Sequence, residues 1–155
     1  EAPGKGVRSL KGKKMFVIGA VCLLLLFGGC ARRGYGEIIR ANWDLALPSG
    51  YTELYQTDTG ESFLGDGVRY HVFGYEDGSA LEEAVRWQEE PLPTRYSESQ
   101  TDAAAEFLEK LDVPSEWSIP GGDCRYSAME KDDGSELLLF WHLTDNRLYI
   151  VENFL

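Results

Sequence analysis

The seven residues Leu137-Leu138-Leu139-Phe140-Trp141-His142-Leu143 are apolar at nearly every position, with turn residues on either side. A run this short has no room for a helical stripe. Its lack of alternation marks a strand that is covered on both faces. The turn Asp132-Asp133-Gly134-Ser135 precedes it, and the two-residue turn Asp145-Asn146 follows it. Beyond these lie Arg125 to Lys131 and Arg147 to Phe154, both of strand composition, so the C-terminal third reads as an antiparallel meander.

The remainder supplies further strands and two helices. Tyr51 to Thr57 and Val68 to Tyr75 have strand composition, and Asp58-Thr59-Gly60 and Gly65-Asp66-Gly67 supply turns between them. Ser79-Ala80-Leu81-Glu82 has the pattern of a capping box, which predicts a helix that Pro91-Leu92-Pro93 stops. A second helix is predicted from about Asp102 to Leu111, because Ala104, Phe107, Leu108 and Leu111 recur at helical spacing. Glu37 to Leu47 reads as a short helix or an irregular cover segment. The expected fold is α+β, a roughly five-stranded antiparallel sheet with two helices packed on one face.

Strand parity then places the chemistry-bearing residues. If Val68, Tyr70 and Val72 face the helices, then Arg69, His71, Phe73 and Tyr75 face away. Giving Leu137, Leu139, Trp141 and Leu143 to the helix side leaves Leu138, Phe140 and His142 opposite, joined by Tyr149 and Val151. The candidate ligand-binding face is therefore His71, Phe73, Tyr75, Phe140, His142 and Tyr149, two histidines among aromatic rings suited to a sugar, a peptide or a small ligand. The competing reading has Glu37 to Leu47 covering this face, with each histidine satisfied by a local partner. No metal is expected, because a zinc site needs a third ligand that no spacing supplies. No cofactor motif is present either.

The N-terminal region gives an address. Met15 to Gly29 is an unbroken apolar run behind Lys5, Arg8, Lys11, Lys13 and Lys14. At about 1.5 Å per residue it reaches only about 22 Å, short of a bilayer core of about 30 Å. That length and the basic flank suit a signal peptide. Leu26-Phe27-Gly28-Gly29-Cys30 resembles the lipobox of bacterial lipoproteins, with Phe27 where that family usually carries an aliphatic residue. The resemblance implies cleavage before Cys30 and a lipid on its sulfur. The expected organisation is a basic flank and signal over 1–29, a lipidated Cys30 and tether over 30–36, and a single acidic extracytoplasmic domain over 37–155. An uncleaved N-terminal anchor is the alternative.

Of 26 acidic and 15 basic residues, only Glu1 and those five bases precede Cys30, which leaves 25 acids against 10 bases, a net charge of −15. Such a surface repels phosphate backbones, so nucleic acid is excluded as a partner. The membrane, reached through the lipid on Cys30, and an envelope protein or glycan are the partners expected. Cys124 has no intramolecular partner once Cys22 departs with the signal and Cys30 carries lipid, and it reads as a buried, inert thiol.

Phosphate loops, nucleophile elbows, His-Glu-x-x-His pairs and Cys-x-x-Cys pairs are absent from the sequence. The leading expectation is a non-catalytic lipid-anchored domain that binds a ligand or partner. The alternative is a small cell-envelope hydrolase using Asp or Glu residues in an aromatic cleft.

Overall fold

Among the described residues five strands build the sheet: β1 (Thr52–Asp58), β2 (Gly67–Gly74), β3 (Cys124–Glu130), β4 (Glu136–His142) and β5 (Arg147–Phe154). The computed structural model describes residues 34–60, 65–88, 98–121 and 123–155, and those from 35 onward belong to one compact unit. The apolar run expected to be a signal, and Cys30, lie outside the described residues. The strand order is β1-β2-β5-β4-β3, with every neighbouring pair antiparallel. The meander is present, and β5 rather than β4 occupies the centre because β2 pairs along its other side. No helix among the described residues is long and apolar enough to cross a membrane.

Register fixes which side chains share a face. His71 pairs with Ile150 and Ile150 with Leu139, so these three lie in one row on one face, while Tyr70, Val151 and Leu138 form a row on the other. Each face carries its own core. The first gathers Phe73, Tyr75, Leu137, Leu139, Trp141, Leu148 and Ile150 with Ile39, Trp43, Leu81 and Val85. The second gathers Val68, Tyr70, Val72, Tyr126, Leu138, Phe140, Tyr149 and Val151 with Ala104 and Leu111. A sheet covered on both faces explains the unbroken apolar run of β4, where positions 137 to 141 are all buried.

Among the described residues three α-helices supply the cover: α1 (Tyr35–Trp43), α2 (Ser79–Ala84) and α3 (Glu98–Lys110). Ile39 and Trp43 are four residues apart, which puts both on the buried side of α1. Burying Ile39 alone stabilises by about 1.5–3 kcal/mol. Glu37 in the first turn and Arg40 in the last suit the helix dipole. The two helices expected in one layer contribute to different cores: Leu81 of α2 lies in the first, and Ala104, Phe107 and Leu108 of α3 pack in the second.

The start of α2 also differs from expectation. Gly78 occupies the cap position and no side chain caps it, so the Ser79–Glu82 capping box does not form. The Asp77 carboxylate instead accepts from both the backbone N–H and the hydroxyl of Ser79, which holds its own ionisation below the usual carboxylate range. Gly78 is required by close approach, since a Cβ there would lie 2.6 Å from Trp141 and 2.7 Å from Asn146. The helix ends at Ala84, well before the prolines. Val85 is extended, and the Gln88 N–H donates to the Tyr126 carbonyl while the Ser127 hydroxyl donates to the Arg86 carbonyl. These residues therefore run along the outer edge of β3 and protect it.

Candidate functional site

The six residues expected on one binding face do not share one. His71, Phe73 and Tyr75 lie with the first core, and Phe140 and Tyr149 with the second. His142 has the parity of Phe140, so the two histidines point to opposite sides of the sheet. The single binding face is thereby corrected. Phase along one strand follows from alternation, but phase between strands is set by pairing register, which an all-apolar strand does not display.

The His71 side is a covered interior. The Tyr35 ring stacks on the His71 imidazole at 3.4 Å, the Tyr51 ring stacks on Phe73 at 4.0 Å, and the Tyr75 hydroxyl donates to the Pro48 carbonyl. Burial favours the neutral ring and lowers the pKa of His71, outweighing the neighbouring Glu53 carboxylate, which favours the charged form. Its Nδ1–H donates to Glu53 Oε1 at 2.7 Å. Burial likewise pushes the Tyr75 phenol upward. Residues 35 to 51 thus cover the His71 side, in accord with the covering role expected of Glu37 to Leu47, whereas His142 Nδ1 on the other side makes no hydrogen bond.

Beneath α1 lies a carboxylate that sequence reasoning missed. Glu152 is fully buried, and each of its oxygens accepts a hydrogen bond, one from the Tyr35 hydroxyl and one from Trp43 Nε1 at 2.6 Å. Tyr35 is the first residue of α1 and Trp43 the last, so one side chain of β5 fastens both ends of the helix. Desolvation, reinforced by the Glu152 charge, raises the Tyr35 phenol far above its ordinary range. Nearby, the Arg69 guanidinium lies 4.7 Å above the Phe154 ring, and the Lys131 ammonium lies 4.4 Å above Trp43. Parity marks position 152 as inward-facing. Nothing in the sequence distinguishes Glu152 from the other acids as the buried one.

On the second face, His142 Nδ1 stands 3.2 Å from Asp145 Oδ2, outside hydrogen-bonding geometry. Tyr149 and Phe140 are core residues, 2 % and 0 % exposed, and neither forms a binding surface.

Two hollows remain. Between β1 and β2, Asp58, Thr59, Gly60 and Gly65 to Arg69 line a polar one of about 280 Å³. Its groups serve the turn: Asp58 Oδ1 accepts from the Gly60 N–H and Thr59 Oγ1 from the Val68 N–H. Asp133 repeats this use by accepting from the Ser135 N–H. No cluster of His, Cys, Asp or Glu among the described residues is arranged to hold a metal ion.

The larger hollow is a groove of about 450 Å³ between the C-terminal half of α3 and the segment that follows the helix. Ala104, Ala105, Leu108, Val113 and Ile119 give it apolar walls, while Glu109 and Asp112 stand on its rim. The groove exists because Asp112 takes a left-handed conformation at φ 51° and the Val113 N–H bonds back to the Leu108 carbonyl, turning the chain alongside the helix. The sequence shows the helical stripe but not the hollow left beside it. Comparison with family models, curated proteins and solved structures finds no match to this chain.

Proposed function

We propose that this chain is a lipid-anchored extracytoplasmic protein whose domain acts by binding a partner protein of the cell envelope rather than by catalysis. The anchor rests on the basic flank, the brief apolar run and the lipobox-like end at Cys30. The observation that carries the binding reading is the groove beside α3. It joins apolar walls to the carboxylates of Glu109 and Asp112, on a domain of strongly negative charge. An apolar side chain flanked by Lys or Arg fits such a place, and the surrounding field speeds its approach.

The interior titratable groups support a binding role. Glu152 holds both ends of α1, and His71 is bonded to Glu53 beneath Tyr35. Both are committed to the fold.

The test is recovery of partners from native membranes with the full chain and with Ala105→Trp, which fills the groove from an exposed position. The expected result is an envelope protein retained by the parent and lost with the variant, while the thermal midpoint is unchanged. Identical recovery with both chains would overturn the groove as the binding site. Mass spectrometry of the native protein checks the anchor separately, with an acyl group on an N-terminal Cys30 expected.

A further inference from the structure

The two edges of the sheet are treated unequally. Beside β3 the chain at Arg86 to Gln88 bonds to Tyr126 and Ser127, whereas β1 ends the sheet on the other side and, among the described residues, nothing pairs with its outer edge. The Thr59 N–H donates to the Val68 carbonyl, which fixes the hydrogen-bond phase of β1. Asp58 opposite Arg69 is then a non-hydrogen-bonded pair, and Gln56 opposite His71 is another. The N–H and C=O of Gln56 and of Asp58 therefore point away from β2, one donor and one acceptor from each residue. Both residues are exposed, as are Thr52, Glu53 and Leu54. Glu53, Gln56 and Asp58 lie on the His71 face, and Glu53, though bonded to His71, keeps 35 % of its side chain exposed. On the other face Tyr55 is half-buried, with its ring stacked on Trp117 at 5.4 Å.

We infer that β1 receives an extended segment of a partner protein as a sixth strand, and that this segment alternates Lys or Arg with apolar residues. Main-chain bonds to Gln56 and Asp58 supply the hold, and side chains on alternate faces supply the choice. On one face the added strand meets the Glu53 and Asp58 carboxylates, which attract cations. On the other it lies along Tyr55 beside Trp117, which suits an apolar side chain. The same charges disfavour a second copy of this chain as the occupant. It would bring its own Glu53 and Asp58 to an edge that already holds them, on a domain with 25 acids against 10 bases. The register shift between Glu53 and Tyr55 bends the strand and confines regular pairing to residues 55 to 58. A short stretch of this kind gives a reversible contact. An open edge without a partner is a liability in any sheet, and here the acids and the bulge leave it selective instead of sticky.

The inference does not rest on the groove beside α3. The full chain is titrated with a synthetic peptide of alternating lysine and valine, and amide hydrogen exchange is followed with and without it. Slower exchange of the Gln56 and Asp58 amides is expected on binding. The same peptide with every main-chain nitrogen methylated keeps its side chains and charge, and should bind about tenfold more weakly. Gln56→Pro removes an outward donor while sparing the bonds to β2, and should weaken binding to a similar degree. Asp58→Asn can still accept the Gly60 N–H. It should lower affinity for the lysine peptide at low salt and leave that for a serine and valine peptide unchanged. Ala105→Trp should bind the lysine peptide as the parent does, which separates this edge from the groove. The inference is overturned if the methylated peptide binds as well as its parent, since charge alone would then account for the contact. It is overturned equally if bound peptide leaves the Gln56 and Asp58 amides exchanging at their free rate. Sedimentation of the free chain as a dimer with those two amides protected would also overturn it, because a second copy would then occupy the edge.

Discussion

The indole of Trp43 donates to Glu152 Oε1 at 2.6 Å, in a place where Trp43 is 4 % exposed and Glu152 not at all. A buried acceptor that loses its donor bears the full cost of its missing hydration. Trp43→Phe keeps the aromatic packing and removes only the N–H, so it is expected to destabilise by about 1–3 kcal/mol in urea unfolding. Adding Tyr35→Phe should cost more than the two single changes together, since the carboxylate would then keep neither donor.

Acidification is expected to weaken the fold through His71. Burial sets its folded pKa below the ordinary value of 6.5, so the unfolded chain takes up the proton more readily. The stabilising contribution is fully present above about pH 6.5 and is lost as pH falls through the folded value. Asp77 and Asp133, both lowered from 3.8, act in a more acidic window. Denaturation at pH 7.5 and 5.0 should show the loss, and His71→Gln should flatten it.

Gly78→Ala is expected to cost about 1–3 kcal/mol, because the added methyl would press into the Trp141 ring and the Asn146 side chain within a packed face. Gly121→Ala meets nothing within 4 Å and should stay within about 0.5 kcal/mol of the parent. Paired thermal melts make the comparison.

The separation of the histidines has a direct spectroscopic consequence. Nuclear Overhauser contacts are expected from the His71 ring to Tyr35 and Phe73, whose ring centroids lie 3.4 Å and 6.1 Å away. The His142 ring should show contacts to neither. A contact between the two imidazoles would contradict the register.

Much of the sheet was legible because turns and strands announce themselves locally. Asp133, Gly134, Asp145 and Asn146 bracket β4, and Gly134 at φ 86° and Asn146 at φ 50° take the left-handed conformations that such residues favour. The spacing of Ala104, Phe107, Leu108 and Leu111 similarly marks α3. What sequence could not supply is the relation between elements. Apolar side chains at positions 137 to 141 fit either phase, so only pairing to β5 decides that Leu139 joins His71 and Phe140 does not. The candidate site failed for that reason. The cap of α2 turned on a local contest, in which Asp77 engaged the Ser79 N–H and hydroxyl and the capping box did not form.

Tyr35 opens α1, and its hydroxyl reaches Glu152 on β5, the strand farthest from both sheet edges. Tension applied to the chain ahead of residue 35 is therefore met first by the Tyr35 ring on His71 and its hydroxyl on Glu152, in the middle of the domain and not at its rim.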